Sequence, residues 1–231
     1  MKKLISAFSI LLLCACGNEP ASEQPIPETA PAPRDLGSVF TDINPDSLYV
    51  FSTENTEDKN YKFAGRPLDS SIISIFPYYV RGDERWSTQY FGCYKFALDS
   101  SRIALVTRVP GEYVSSSVQL FIYDVQRDSI TQQIDLADMW GDAGEFSEQS
   151  SCIFYSPEKE LKILSYHWSS YDHSVDPETE TDTLTEYWDS YLLRGLSKNA
   201  VDTLSKDSIE IIKNYPAMLE KMAHRERPVS L

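Results

Sequence analysis

The residues between two predicted strands near the middle of the chain combine carboxylates, a tryptophan and two glycines. Residues 138–145 read Asp-Met-Trp-Gly-Asp-Ala-Gly-Glu. Glycine adopts positive φ at little cost, so a tight turn here would gather Trp140, Asp142 and Glu145 on an exposed connection. A ring beside two carboxylates suits a sugar or a cationic side chain, and Asp142 with Glu145 is the pair that we nominate for carboxylate-based hydrolysis. The alternative is a turn whose tryptophan folds back on the core.

A second place where chemistry is conceivable contains two of the three histidines, His167 and His173. They lie where a predicted strand passes into a loop, with Asp172 between them and Asp176 shortly after. Imidazole and carboxylate groups bind zinc, so Asp172, His173 and Asp176 are candidate metal ligands. A surface histidine pair beside Trp168 explains the same residues without a metal.

The loop that follows these histidines is strongly acidic. No Lys or Arg occurs between Lys162 and Arg194. Carboxylates without neutralising charges repel one another unless solvent, a cation or a basic partner offsets them. The spacing differs from that of an EF-hand, so a calcium site, a partner surface and a solvated loop all stay open. The binding candidates in this loop are Asp176, Glu178 and Glu180.

Composition limits the classes of partner and reaction. The chain has 35 Asp and Glu against 21 Lys and Arg, a formal charge of −14. Nucleic acids and anionic lipid headgroups are bound through Lys and Arg, so we expect neither as a partner, whereas a basic protein or a glycan fits. The sequence contains no nucleophile elbow, phosphate loop or CxxC pair, and we predict no cofactor. These absences favour a binding protein over an enzyme.

The N-terminus has the layout of a signal peptide, which we assign to residues 1–15. Two lysines precede an apolar stretch over residues 4–13. This stretch is shorter than the roughly 20 residues that a helix needs to span a bilayer, so we expect it to be removed.

The residues at the end of this segment, Leu13-Cys14-Ala15-Cys16, resemble the lipobox of bacterial lipoproteins. The resemblance implies cleavage before Cys16 and lipid on its sulfur, which would hold the protein at a membrane. Gly17 resembles the pattern that sorts lipoproteins to the outer membrane. We therefore predict an outer-membrane lipoprotein of the cell envelope.

The remaining chain divides into a tether and one domain. Residues 16–38 carry five prolines and almost no large apolar side chain, which predicts an extended tether of roughly 70 Å. Residues 39–231 are enough for a single domain. Its two cysteines, Cys93 and Cys152, could form a disulfide in an oxidising envelope or stay separate as small apolar side chains.

Short apolar runs alternate with turn residues along the domain, which predicts an all-β, antiparallel meander. Residues 118–125 are apolar on both faces and predict an interior strand, whereas residues 129–136 predict an edge or one wet face. Residues 207–224 predict a C-terminal helix, capped by Asp207 or Ser208, whose stripe of Ile209, Ile211, Ile212 and Tyr215 packs on the sheet. The predicted strands are 48–52, 71–79, 93–98, 102–109, 118–125, 129–136, 152–155, 161–168, 189–196 and 200–204.

The last eight of these strands form two similar groups of four. The second group repeats the pattern of the first at a constant offset, and both resemble blades of a β-propeller. The chain has room for about three blades, fewer than the usual four to eight, so we expect blade-like four-stranded sheets or a β-sandwich. The matched residues are Phe96, Ile103 and Leu105 in the first group and Phe154, Leu161 and Ile163 in the second.

Three functions are consistent with these observations. We expect a lipid-anchored binding or interaction module of the cell envelope, which accounts for the tether, the acidity and the missing motifs together. The alternatives are a carboxylate-based hydrolase of envelope glycans and an inhibitor or immunity-type lipoprotein that neutralises a basic enzyme. In each case we expect the acidic connections after the strand at 129–136 and within 172–189 to carry the function.

Overall fold

The computed structural model describes residues 34–77, 90–111, 116–173, 185–197 and 200–223. No helix within these ranges is both long and apolar enough to cross a membrane. The strands are β1 (Thr41–Asp42), β2 (Leu48–Val50), β3 (Arg66–Pro67), β4 (Phe91–Ala97), β5 (Arg102–Val109), β6 (Ser117–Asp124), β7 (Ser129–Asp142), β8 (Glu145–Tyr155), β9 (Leu161–Asp172), β10 (Thr185–Leu196) and β11 (Val201–Ser205). The helices are α1 (Ser70–Ile73), α2 (Ser208–Asn214) and α3 (Pro216–Ala223).

Strands β4 to β11 form one antiparallel meander in which each strand pairs with the next. At one edge of this meander, β1 pairs with β4 in parallel. β3 also pairs with β4, but antiparallel, and β2 pairs antiparallel with β8. The prediction of an all-β meander with a helical C-terminus is confirmed. β7 is hydrogen-bonded to both β6 and β8, so the two groups of four strands belong to one continuous sheet.

The sheet folds on itself at a bend in β7. Leu136 and Ala137 are neighbours in sequence, yet both lie in the core, and the register with β6 shifts at this point. Such a bulge bends a strand and increases its twist. β7 pairs with β6 before the bulge and with β8 after it. The bend allows β4–β7 to pack against β8–β9 across a shared core.

Apolar side chains fill three layers, because both halves of the sheet are apolar on both faces. The central layer joins Val106 and Leu120 of the first half to Ile153 and Ile163 of the second. On the outside of the first half, the N-terminal segment and α1 cover β5 and β6 with Leu36, Phe40, Ile72 and Phe76. On the outside of the second half, the C-terminal helices cover β8 and β9 with Ile211, Leu219 and Met222.

Two predictions about strands have different outcomes. β6 is buried on both faces, and β7 has buried Ile134 beside exposed Asp135, so the interior strand and the half-wet strand are both present. The strand predicted at 71–79 is wrong, because this segment contains α1. The carboxylate of Asp69 accepts hydrogen bonds from the amides of Ser71 and Ile72, and this cap outweighs the β-propensity of the isoleucines.

The two groups of strands do not repeat one another around the core. Phe96 lies in the central layer, whereas its match Phe154 packs under the C-terminal helices. Leu105 lies on the outer side of the first half, whereas its match Ile163 lies in the central layer. The matched residues therefore face opposite ways.

Both ends of the described chain contact the domain differently from the prediction. Residues 34–38, assigned to the tether, include Leu36, which is buried. Asp207 caps α2 as predicted, and a second helix, α3, begins at Pro216. The predicted stripe is wrong in part, because the seven-residue α2 buries Ile211 and leaves Ile209 80% exposed. The signal peptide and Cys16 lie outside the described residues.

Candidate binding face

The stretch predicted as an exposed connection is a tight β-hairpin. Ala143 and Gly144 have φ of 48° and 87° and join β7 to β8 as a two-residue turn. Positive φ at both positions matches the twist of paired strands, so the pairing continues up to the turn. Asp142 lies directly opposite Glu145, and the amide of Asp172 donates to the carbonyl of Gly144 at 2.8 Å. Residues 138–145 therefore form the paired ends of β7 and β8 and the turn between them, and not an exposed loop.

Beyond the shared core, four strand segments continue as a small sheet that we call the arm. It consists of residues 138–142 of β7, 145–149 of β8, 167–172 of β9 and 185–190 of β10. β7 pairs with β6 only up to Ala137, and β11 pairs with β10 only from Leu193 onwards. The arm therefore has two edges within the described chain.

The register of the arm gathers side chains from distant parts of the sequence on one face. Residues directly opposite each other on antiparallel strands point to the same side. We call this side the binding face. Its three rows, read from β7 to β10, are Asp138, Gln149, His167 and Ser190; then Trp140, Ser147, Ser169 and Trp188; then Asp142, Glu145, Tyr171 and Glu186.

The middle row forms a floor of small hydroxyl groups with an indole at each edge. Strands lie about 4.8 Å apart, so the backbones of Trp140 and Trp188 are separated by about 14 Å. Trp188 is 49% exposed, and Trp140 is partly buried. Two rings at this separation can contact a partner at two points.

Aromatic side chains brace the opposite side of the arm. The ring of Trp168 lies between those of Phe146 and Tyr187, with centroids 5.3 and 6.0 Å away. Tyr166 stacks on Tyr191 at 5.4 Å. Cross-strand aromatic pairs stabilise a sheet, and here they connect β8, β9 and β10. The binding face thus rests on a well-packed support.

The arm is rich in carboxylates, and its own residues include no Lys or Arg. A carboxylate row lies at its tip, and other carboxylates lie on both faces. Unlike an isolated acidic loop, these groups sit on paired strands that fix their spacing. The carboxylates of the arm are Asp138, Asp142, Glu145, Glu148, Asp172, Glu186 and Asp189.

The histidines are held apart by the strand that carries them. His167 and His173 are six residues apart, which is roughly 20 Å along a strand. His173 lies at the end of β9 with its Nε2 3.5 Å from Oε1 of Glu186, and its ring packs on the edge of Tyr171. No three potential ligands converge in the described part of the chain, and Asp176 lies outside it. The structure does not join Asp172 and His173 into a metal site.

The two cysteines are free thiols in different layers. Cys93 lies in the central layer, where its Sγ contacts the carbonyl of Phe63 at 3.3 Å, and Cys152 packs under the C-terminal helices. The disulfide that the sequence allowed is absent. Burial raises the pKa of Cys93 to about 12 and that of Cys152 to about 11.

Sequence reasoning nominated part of this face and missed the rest. The structure places Trp140, Asp142 and Glu145 on it, whereas Asp176, Glu178 and Glu180 lie outside the described residues. Trp188 and Glu186 lie within the range 172–189 that was expected to carry function, but neither was nominated individually, because the sequence assigns residues 185–188 to the acidic loop. Their alternation of charged and aromatic residues, Glu-Tyr-Trp-Asp, was the available signal.

The position of the carboxylate pair bears on the hydrolase alternative. Asp142 and Glu145 are both exposed at the tip of the hairpin. A carboxylic acid that protonates a leaving group is usually shielded from water, because burial keeps it neutral. Neither residue lines any of the three cavities described for this chain.

No protein-family model, curated protein or solved structure matches the chain.

Proposed function

We propose that the protein is a lipid-anchored interaction module of the cell envelope whose binding face docks a basic protein. The observation that supports this most is the register of the arm, which places two tryptophans and four carboxylates on one face without a Lys or Arg. This proposal retains the expected class of function and assigns it to specific residues.

The chemistry of the binding face suits lysine and arginine side chains. Carboxylates at the tip attract cations and raise the rate of encounter with a basic surface. Indole rings bind a cation over their faces, and tryptophan and tyrosine are common among residues that dominate binding energy. The binding face can therefore supply long-range attraction from its carboxylate row and short-range contact from its indole row.

The N-terminal sequence supports the anchor. The lipobox resemblance implies lipid on Cys16, and Arg34 is already held on the domain by Asp128. Residues 16–33 are left as the tether, which extends about 55 Å if fully stretched. A domain on such a tether can reach partners away from the membrane surface.

Capture from an envelope extract tests the proposal with matched variants. The arm variant combines Asp142→Asn, Glu145→Gln and Glu186→Gln, and the control variant combines Asp202→Asn, Glu54→Gln and Glu57→Gln. Both remove three exposed carboxylates, so they change the net charge equally. We expect the parent and the control variant to retain the same basic protein at low salt and the arm variant to lose it. Equal retention by both variants would contradict the proposal.

Truncation of an indole tests the aromatic part of the face. Trp188→Ala removes the exposed ring at the β10 edge, and Ile209→Ala removes an exposed apolar side chain outside the arm. Truncating a central interface tryptophan typically costs about 2 kcal/mol or more, so we expect affinity for the captured protein to fall about thirtyfold. Calorimetric titration measures this change. An effect of Trp188→Ala no larger than that of Ile209→Ala would exclude the ring from the interface.

A further inference from the structure

A cavity of about 300 Å³ lies beside the binding face, where β10 meets the connection between β11 and α2. It shares Gln149, His167 and Ser190 with the first row of the arm. Its remaining walls come from Ser165 of β9, from residues of β10 and from the start of α2. The other lining residues are Ser165, Tyr191, Leu192, Arg194, Lys206 and Ser208.

The charged residues that line this cavity are Arg194 and Lys206, and no carboxylate lines it. This is the reverse of the arm, whose ionised groups are carboxylates. His167 adds a ring whose pKa is lowered by burial, so at neutral pH it is uncharged and donates through one ring nitrogen. The cavity thus collects donors of hydrogen bonds in an acidic protein.

Arg194 is the residue that most needs a ligand. Its Nη1 is buried and has no hydrogen-bond partner. Its guanidinium is half-buried, and Asp135 stabilises its charge electrostatically, although no ion pair joins the two side chains. A half-buried guanidinium without an ion pair is costly, whereas an anion bound beside it would offset its charge.

A chain of serine hydroxyls fixes which groups of the wall can donate. Ser151 Oγ donates to the carbonyl of Leu136 at 2.5 Å, and it lies 2.8 Å from Ser165 Oγ. Since the hydrogen of Ser151 is used, Ser165 donates to Ser151 and offers only lone pairs to the cavity. Donors for a ligand therefore come from Arg194, Lys206, Ser190 and His167 and not from Ser165.

We infer that this cavity binds the carboxylate group of a small ligand, with Arg194 as the principal contact. The planar guanidinium matches a carboxylate with two parallel hydrogen bonds. Leu192 offers apolar contact to the rest of the ligand, and Ser165 accepts from an amide or hydroxyl group. The negative charge of the whole protein opposes anion binding, but salt screens exposed charges beyond about 8 Å. A singly charged ligand suffers this repulsion less than a doubly charged phosphate.

The carboxylate could belong to the C-terminus of a peptide or to an acidic sugar, and two probes distinguish these sources. N-acetyl-Ala-Ala represents the peptide and glucuronic acid the sugar, while N-acetyl-Ala-Ala amide and glucose are their neutral counterparts. Thermal unfolding of the full-length protein in detergent, followed by tryptophan fluorescence, measures binding, because a ligand that binds the folded state raises the midpoint. Sodium chloride keeps the ionic strength equal in all samples, and inorganic phosphate is tested alongside.

We expect at least one carboxylate probe to raise the midpoint in a saturable way and its neutral counterpart to have no such effect. Arg194→Gln should weaken the apparent affinity about tenfold or more, whereas Arg127→Gln, which removes an exposed charge elsewhere, should leave it within twofold. If Arg194→Gln does not fold, Lys206→Gln takes its place, with a smaller loss expected. No saturable shift with either carboxylate, an equal shift with a neutral counterpart, or a shift with phosphate alone would overturn the inference. So would an Arg194→Gln protein that binds like the parent.

Discussion

At the scale of single residues, an ion pair between Arg34 and Asp128 helps to hold the N-terminal segment on the domain. Arg34 donates to both carboxylate oxygens of Asp128 at 2.7 and 2.8 Å, and the hydroxyl of Tyr123 donates to the same carboxylate at 2.7 Å. These hydrogen bonds lower the pKa of Asp128, and the bond from Arg34 has the largest effect. Bidentate geometry makes this pair stronger than an ordinary surface pair.

This network predicts a pH dependence of stability. A carboxyl group whose pKa is lower in the folded than in the unfolded state stabilises the fold above its unfolded pKa, about 3.9, and loses this effect as pH falls. Asp128→Asn should therefore lower the free energy of unfolding by about 1 kcal/mol at pH 7. Asparagine tolerates the positive φ of this position, so the backbone is not disturbed.

The measurement is thermal unfolding of parent and Asp128→Asn between pH 7 and pH 3. The midpoint of the variant should lie about 2–4 °C lower at neutral pH, and the difference should shrink as the pH falls below about 4. Glu57→Gln, at an exposed site, should match the parent throughout. A difference that grows as the pH falls would contradict the assigned role of Asp128.

The buried thiols give a second prediction at this scale. A thiolate is the reactive form, and burial both raises the pKa of Cys93 and Cys152 and blocks access to them. We expect neither to react with iodoacetamide in the native protein and both to react after denaturation without a reductant. Mass spectrometry of the peptides reads out both states. Labelling that requires a reductant would show a disulfide and contradict the observed separation of the thiols.

At the scale of elements, the hairpin turn at the tip of the arm offers a test of local energetics. Ala143 adopts positive φ, which costs an L-residue about 1 kcal/mol, whereas asparagine at this position and glycine at the next are preferred. Ala143→Asn should stabilise the hairpin by about 0.5 kcal/mol, and Gly144→Ala should destabilise it by about 1 kcal/mol. Hydrogen exchange of the amides in β7 and β8 measures how often the hairpin opens locally. Faster exchange in Ala143→Asn than in the parent would contradict the positive φ of residue 143 in this turn.

The same elements show which features a single sequence can predict. The observed bounds of β5 are identical to the predicted ones. An apolar run between two groups of turn residues is enough to locate such a strand. The segment at 71–79 was mistaken, because Asp69 caps a short helix that apolar content alone does not reveal. The sequence assigns the arm largely to loops, because its binding face mixes carboxylates and hydroxyl groups with the indoles and so lacks the apolar face of an ordinary half-buried strand.

The binding face itself depends on strand register, which periodicity does not specify. Trp140 and Trp188 are distant in sequence, and they share a row because two intervening strands pair without a shift. A slip of one residue would send Trp188 to the other side of the sheet. The sequence could therefore nominate Trp140 with its two neighbouring carboxylates but could not supply Trp188 and Glu186.

At the scale of the whole molecule, the proposed anchor predicts where the protein resides. Replacing Cys16 by serine should abolish labelling of the protein with radioactive palmitate and release it from the membrane fraction, because the sulfur that carries the lipid is lost. Replacing Cys14 by serine is the matched control and should leave both unchanged. Labelling that persists in Cys16→Ser would contradict the assignment of the anchor.

Charge distribution is the other property of the whole molecule on which the account depends. The chain is acidic throughout, so general attraction to a basic protein could come from any surface. What distinguishes the arm is the combination of a fixed carboxylate row, exposed indole and the absence of Lys and Arg. A decisive measurement must therefore compare the arm with an equally acidic surface elsewhere.

Association kinetics of the captured basic protein provide that comparison most directly. Rate constants are measured for the parent, the arm variant and the control variant at several salt concentrations. We predict that the association rate of the parent and the control variant falls steeply as salt rises, while the arm variant associates at least tenfold more slowly at low salt and depends less on it. If the arm variant and the control variant show the same rates and the same salt dependence, the arm is not the binding face.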